Sequence, residues 1–314
     1  MASPFHDGER AVQERIGVRQ RIEKMGQRML QDFMPDEHRE FFEELPFLIA
    51  ASADAGGAIW ASLLVGEPGF VRSSTSRSLQ VQAALLPGDP LTGNLRPGAA
   101  LGLLGIDLPT RRRGRVNGLV ARAAGGVFEL RVVQSFGNCR MYIQSRAGGF
   151  TPPTVWAPPN AESSLLTDEA LRLLATTDTA FIATGSRDAG RGGSEGLDAS
   201  HRGGRPGFIR TETVEGATLL TLPDYYGNFM FNSLGNLEVN PRAGLLALDF
   251  ESGDVLSLSG SAHVVWDGPE VSATAGAERL LKLRVERGLL WRNILQGWSA
   301  PEWSPQLLPR ARDE

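Results

Sequence analysis

Ala199-Ser200-His201-Arg202-Gly203-Gly204-Arg205-Pro206-Gly207-Phe208-Ile209-Arg210 restates, 138 positions later, Ala61-Ser62-Leu63-Leu64-Val65-Gly66-Glu67-Pro68-Gly69-Phe70-Val71-Arg72. Seven of the twelve positions are identical, and Val71 is exchanged for Ile209. A second block follows in the same order. Asn94-Leu95, Gly102-Leu103-Leu104, Asp107 and Gly118 match Asn236-Leu237, Gly244-Leu245-Leu246, Asp249 and Gly260 at an offset of 142. Two ordered blocks at near-equal offsets point to a duplicated unit of about 110 to 120 residues. The second copy carries four extra residues between the blocks.

Each copy reads as β-rich. Residues 47–52 and 179–184 are short apolar runs ending in turns, and 206–213 and 217–222 flank Glu215-Gly216. A further pair, 243–250 and 255–265, surrounds Ser252-Gly253, and the alternation along 255–260 has the period of a half-buried strand. Short strands with Gly-rich turns predict a mainly β protein with a small barrel in each half and few helices. A long helix is expected over 9–32, a second over 167–175 behind the Thr167 N-cap, and a short third over 233–239 with Asn232 at its N-cap. The expected domains are an arm over 1–40, a first barrel over 41–148, a Pro-rich linker over 149–165 and a second barrel with a tail over 166–314.

Composition narrows the function. The 314 residues are 41% hydrophobic with a formal charge of -4, which excludes a disordered chain and gives no basic nucleic-acid footprint. No apolar run reaches the length of a membrane span and the first residues are charged, so a cytoplasmic protein without membrane attachment is expected. Cys139 is the single cysteine, and His6, His38, His201 and His263 show no ligand spacing, so no metal is expected. With 32 Lys and Arg in total and only Lys24 and Lys282 as lysines, cationic recognition falls to 30 arginines. That excess reads as a coding bias. Arg111, Arg112, Arg113 and Arg115 are read as a solvated strand edge rather than an anion patch. Gly192-Gly193-Ser194-Glu195-Gly196 matches a hydrolase nucleophile pattern but lacks the strand-turn-helix context that pattern needs.

The segment 198–241 is where chemistry concentrates. A polar Gly-rich stretch, Ser200-His201-Arg202-Gly203-Gly204, is followed after one strand by Gly227-Asn228 and then Asn232-Ser233 at a helix start. Free N–H groups there suit an anion, and Arg202 could add a counter-charge. The plain alternative is that Asn232 caps the helix and the glycines only turn the chain.

Ser200–Phe208, Gly227–Leu237 and Asn240–Leu246 resemble the FMN-binding split-barrel family related to pyridoxamine 5′-phosphate oxidase. The opening Phe5-His6-Asp7-Gly8-Glu9-Arg10, Trp60-Ala61-Ser62, Asn117-Gly118 and the run from Gln134 to Gln144 are similar to its two-barrel branch. The resemblance implies two tandem FMN-binding split barrels with FMN in a crevice between barrels, usually at a homodimer interface. It implies cofactor contacts from Ser200, His201, Arg202, Gly203, Gly204, Gly227, Asn228, Asn232 and Ser233. Trp60 is expected to add one wall of the cleft, and His201 and Arg202 are the candidate catalytic residues. The first copy has Leu63-Leu64-Val65 where the second has His201-Arg202-Gly203, so a single flavin site is expected. Arg140-Met141 stands where relatives commonly have Pro-Lys, and Ser261 where they often have Arg. An FMN-dependent oxidoreductase of a small-molecule substrate follows, with NAD(P)H or a flavin reductase as electron donor. The alternatives are a flavin carrier or sensor, or a haem-binding relative.

Overall fold

The computed structural model describes residues 3–149, 156–191 and 193–307. Pro152 and Pro153 of the expected linker, Gly192 and the last seven residues lie outside the described residues. The chain opens with α1 (Asp7–Arg15), α2 (Arg19–Met29) and α3 (Asp36–Glu43). The first sheet takes β1 (Phe47–Ala53), β2 (Ile59–Val65), β3 (Val71–Thr75), β4 (Ser78–Gln82) and β5 (Ala84–Leu85). The short α4 (Leu91–Asn94) precedes β6 (Ala100–Asp107), β7 (Arg112–Ala124) and β8 (Val127–Gly137). After β9 (Asn160–Glu162) and α5 (Asp168–Thr176), the second sheet takes β10 (Thr179–Gly185), β11 (Leu197–Gly203), β12 (Arg210–Val214) and β13 (Ala217–Tyr225). It closes with α6 (Asn232–Val239), β14 (Arg242–Leu248), β15 (Val255–Val265), α7 (Pro269–Ala273) and β16 (Ala277–Trp291).

The fold is mainly β, built from curled antiparallel sheets with few helices, as expected. The first sheet runs β3-β4-β8-β7-β6-β1-β2-β5 and the second runs β12-β13-β16-β15-β14-β10-β11. Position for position this is one order used twice, with β5 added to the first and β9 paired to β16 in the second. The repeated residues do repeated work. Asn94 donates to Ser52 Oγ at 2.9 Å, and its counterpart Asn236 donates to Thr184 Oγ1 at 3.0 Å. Gly66 lies beneath the Phe70 ring as Gly204 lies beneath Phe208, and a Cβ at either glycine would drive into that ring.

The two sheets lock together through a reciprocal exchange. β11 crosses Gly102 of β6, where a Cβ would strike the Leu197 backbone, and β2 crosses Gly244 of β14, where a Cβ would strike Trp60 and Ala61. Each sheet keeps an apolar core, and a third core is shared. It mixes Phe47, Ile49 and Ala61 with Phe181, Leu246 and Trp291, each removed from water.

The expected helix over 9–32 is two helices. Gly17 adopts φ 73° beside the Ile16 C-cap, and the chain turns before α2 begins. The turn folds α2 back so that Ile22 meets Phe5, Phe136 and Met230 in a small fourth core. Among the described residues no helix is long and apolar enough to cross a membrane.

Candidate functional site

The shared interface opens into a cleft. β11 supplies Ser200 and Arg202, β7 supplies Arg113 and Arg115, and α6 presents its first turn. The cleft has a cavity volume of about 120 Å³. That is below the roughly 300–1,000 Å³ of a cleft that swallows a drug-sized ligand. It suits one charged end of a molecule whose remainder lies in the open mouth.

The floor is a buried polar network. Arg115, 3% exposed, donates to Asp198 Oδ1 at 3.0 Å, to Asn232 Oδ1 at 2.9 Å and to Ser200 Oγ. Asp198 also accepts from Asn117 at 2.7 Å and from Asn236 at 2.9 Å, so its charge is matched by a guanidinium and two amides. Ser233 Oγ donates to Ser200 Oγ at 2.9 Å. Asn232 Nδ2 donates to Glu9 Oε1 at 2.5 Å, which ties the floor to α1. Burial pushes the Glu9 carboxyl well above the usual carboxylate range, and nearby Asp198 adds to it.

The walls come from loops held in uncommon backbone conformations. Phe229 and Phe231 have φ 60° and 63°, and Tyr142 has φ 65°, all rare for bulky residues. The arm pins the first two: Gln13 Nε2 donates to the Met230 carbonyl at 3.1 Å, and Met230 is fully buried. Tyr142 stacks on Tyr225 with centroids 4.9 Å apart. Next to Tyr225 on β13, Asp224 takes Arg202 at 3.3 Å and Arg279 at 3.4 Å. Arg113 is held by the Cys139 carbonyl, and burial lowers its pKa to about 10. The His201 imidazole is 4% exposed and its pKa is lowered well below the ordinary value, first by burial and then by Arg113 and Arg202. It is neutral at pH 7.

Several buried polar atoms at this cleft have no hydrogen-bond partner among the described residues. They are both His201 ring nitrogens, Arg115 Nε, Asn138 Oδ1 and Arg279 Nη1. Buried polar groups are nearly always paired, so such a cluster marks a place where a ligand or ordered water supplies the partner.

Of the residues expected from sequence, Ser200, His201, Arg202, Gly203, Gly227, Asn228, Asn232 and Ser233 line this one cleft. Gly203 has its own reason to be glycine, since a Cβ there would collide with the Tyr142 carbonyl oxygen. Gly204 does not line the cleft; it packs under Phe208. Trp60 is also elsewhere. It is buried at the opposite crossing, with its indole N–H 3.5 Å from Asp54 and Arg287 5.2 Å from its ring centroid. The N-cap of α6 is Phe231 rather than Asn232, and it makes no side-chain cap. The reading of Arg113 and Arg115 as a solvated edge is overturned, because β11 crosses the face of β7 that carries them. Sequence reasoning also missed Asn117, Tyr142, Tyr225 and Arg279, which are far apart in the chain, and Glu9. The alternation Arg113-x-Arg115-x-Asn117 placed three polar residues on one strand face and was the available signal.

The counterpart crossing is filled. Ser62 Oγ donates to Asp89 at 2.7 Å, Trp291 Nε1 donates to the Pro87 carbonyl at 2.8 Å, and Pro159 lies against Gly88. The arm adds to the asymmetry. α1 docks on α6 at Gly235, where a Cβ would lie 2.5 Å from Glu9 Cα, while nothing approaches the matching Gly93 within 4 Å. Gly235→Ala should therefore cost about 1–3 kcal/mol by forcing backbone apart, and Gly93→Ala should not, as measured by urea unfolding of the two variants.

No protein-family profile matches the chain, and no curated protein matches it. Solved structures do. One is a protein from Clostridium acetobutylicum related to general stress protein 26, of the pyridoxine phosphate oxidase family. It is 12% identical over 45% of this chain and 95% of its own, with a TM-score of 0.27. HutZ, the haem storage protein of Vibrio cholerae, is 15% identical over 42% of this chain and 97% of its own, with a TM-score of 0.27. HupZ of Group A Streptococcus is 12% identical over 43% and 100%, with a TM-score of 0.30.

Proposed function

We propose that the cleft binds FMN by its phosphate and that the chain is an FMN-dependent oxidoreductase of a small organic molecule. The observation that carries this reading is the convergence of unpartnered buried donors with an uncapped helix start. Arg115 Nε and Arg279 Nη1 lack partners among the described residues, and the N–H groups of Asn232, Ser233 and Leu234 precede the first helical bond, from Gly235 N to the Phe231 carbonyl. A phosphate oxygen is the acceptor such donors lack.

The residues fit the group. Ser200, Arg202, Ser233 and the first turn of α6 would hold the phosphate, and the stacked pair Tyr142 and Tyr225 offers a flat apolar wall for a ring. FMN when bound supplies hydride or electron transfer. The chain's own residues bind, orient and exclude water. His201 is uncharged at pH 7, so it can donate one hydrogen bond and accept another, while Arg113 and Arg202 beside it favour negative charge in the mouth.

Purified protein should be yellow and release FMN on denaturation, with one FMN bound per chain at saturation because the counterpart crossing is filled. A colourless protein that ignores added FMN would overturn the reading, and two FMN per chain would overturn the single-cleft assignment. His201 also favours a second reading, since a neutral buried imidazole whose nitrogens have no hydrogen-bond partner has the donor atom of an iron ligand. A Soret band in the as-purified protein, lost in His201→Ala, would select haem instead.

A further inference from the structure

We propose that Glu9, carried by the N-terminal arm, is a positioning residue that keeps the first turn of α6 open to a ligand's phosphate by holding the Asn232 side-chain amide. The proposal rests on the phosphate-binding reading of the cleft and assigns one of its working parts to a segment outside both sheets.

An Asn side chain in the first turn of a helix competes with a ligand for the free N–H groups of that turn unless it is held elsewhere. Asn232 is held elsewhere. Its Nδ2 donates to Glu9 Oε1, and its Oδ1 is thereby aimed at Arg115. The helix is left without a side-chain cap. Reversing the amide would set its NH₂ group against the Arg115 guanidinium, donor facing donor, and its oxygen against the Glu9 carboxyl. Glu9 anchors the amide from the arm side, because a carboxyl group offers acceptor lone pairs on both oxygens. Its second oxygen takes the His6 backbone N–H at 3.0 Å, and His6 Nδ1 takes the Gly8 N–H at 3.1 Å, so α1 is capped by the same contacts.

The arm is fixed closely enough to act this way. Gly8 and Gly235 sit at the crossing of α1 and α6, and a Cβ on either would meet the other helix's backbone. Independent of the helix end, three buried side chains in the same cleft lack partners: Arg115 at Nε, Arg279 at Nη1 and His201 at both ring nitrogens. They point to a ligand there rather than to a helix end left open without use.

The test compares wild type, Glu9→Met and Glu9→Gln with three probes: FMN, riboflavin and inorganic phosphate. Met fills the volume without an acceptor, whereas Gln retains one oxygen for Asn232. Glu9→Met should weaken FMN roughly tenfold, the loss expected for a group that organises charged hydrogen bonds. Riboflavin affinity should stay unchanged, since it lacks the phosphate. Glu9→Gln should keep the wild-type preference for FMN over riboflavin. Inorganic phosphate should raise the wild-type Tm at matched ionic strength, and this rise should vanish in Glu9→Met. An unchanged preference in Glu9→Met, an equal loss of FMN and riboflavin, or a Glu9→Gln variant as impaired as Glu9→Met would overturn the proposal. If wild type binds no FMN yet shows a phosphate-dependent Tm rise that Glu9→Met abolishes, the flavin reading falls and the positioning role stands. If phosphate leaves the wild-type Tm unmoved and FMN does not bind, both fall.

Discussion

Arg115→Leu should destabilise the protein by about 3–5 kcal/mol, the usual cost of removing one partner from a buried ion pair. The arginine is 3% exposed and reaches Asp198, Asn232 and Ser200 from the other sheet. Its loss leaves the Asp198 charge in a water-excluded interface with only the amides of Asn117 and Asn236 to meet it. The loss comes from the stranded charge more than from a missing attraction. Arg115→Leu/Asp198→Asn should accordingly recover most of the stability in guanidinium unfolding, since neither charge then remains. A double variant as unstable as the single would show that Arg115 acts by packing alone. Ligand affinity should not recover with stability, because the cleft floor loses its guanidinium in both proteins.

Asp89→Asn should do the opposite and stabilise the protein by about 2–3 kcal/mol above pH 6. Asp89 is 4% exposed at the filled crossing, and burial raises its pKa to about 6. Its Oδ1 accepts from the Leu91 N–H at 2.8 Å and from Ser62 Oγ at 2.7 Å, and an Asn oxygen can take both. The unfolded chain ionises this group near pH 3.9. Between that pH and about 6 the folded state holds the proton more tightly, so the contribution is fully present below the unfolded value and is lost as pH rises. The stabilisation by Asn should be absent at pH 3.5 and complete by pH 7 in the difference between the two unfolding curves. A gain of equal size at both pH values would show that ionisation of Asp89 is not its source.

That the two halves share one β-rich architecture was legible because the repeat carries it. Ala61-Ser62 holds the same place in β2 as Ala199-Ser200 in β11, and Gly66 through Phe70 joins β2 to β3 as Gly204 through Phe208 leads from β11 to β12. Duplicated glycines such as Gly102 and Gly244 kept their identity at the two reciprocal crossings. Helix breaks were less legible. Gly17 looks like any glycine until its positive φ and the docking of Ile22 require a turn there. The site was half legible. Ser200, Arg202, Asn232 and Ser233 lie within one stretch of sequence, whereas Arg113 and Arg115 arrive from the other sheet and Tyr142 from the segment between them. A guanidinium on an edge and one in a floor have the same local sequence, and only the crossing strand tells them apart.

The sequence by itself determined that there are two copies of one β-rich unit, that the second copy bears the polar residues, and that arginine must supply positive charge. These are properties of residue type and spacing, which the chain carries wherever it goes. The tertiary structure decided which copy opens. It placed Trp291 and Pro159 at one crossing, set α1 on α6 at the other, and turned Asn232 from a helix cap into a bridge between Glu9 and Arg115. Hydrogen bonds between residues 117 and 223 positions apart leave no periodic trace in a sequence. They exist only where packing has already brought the donors and acceptors within reach.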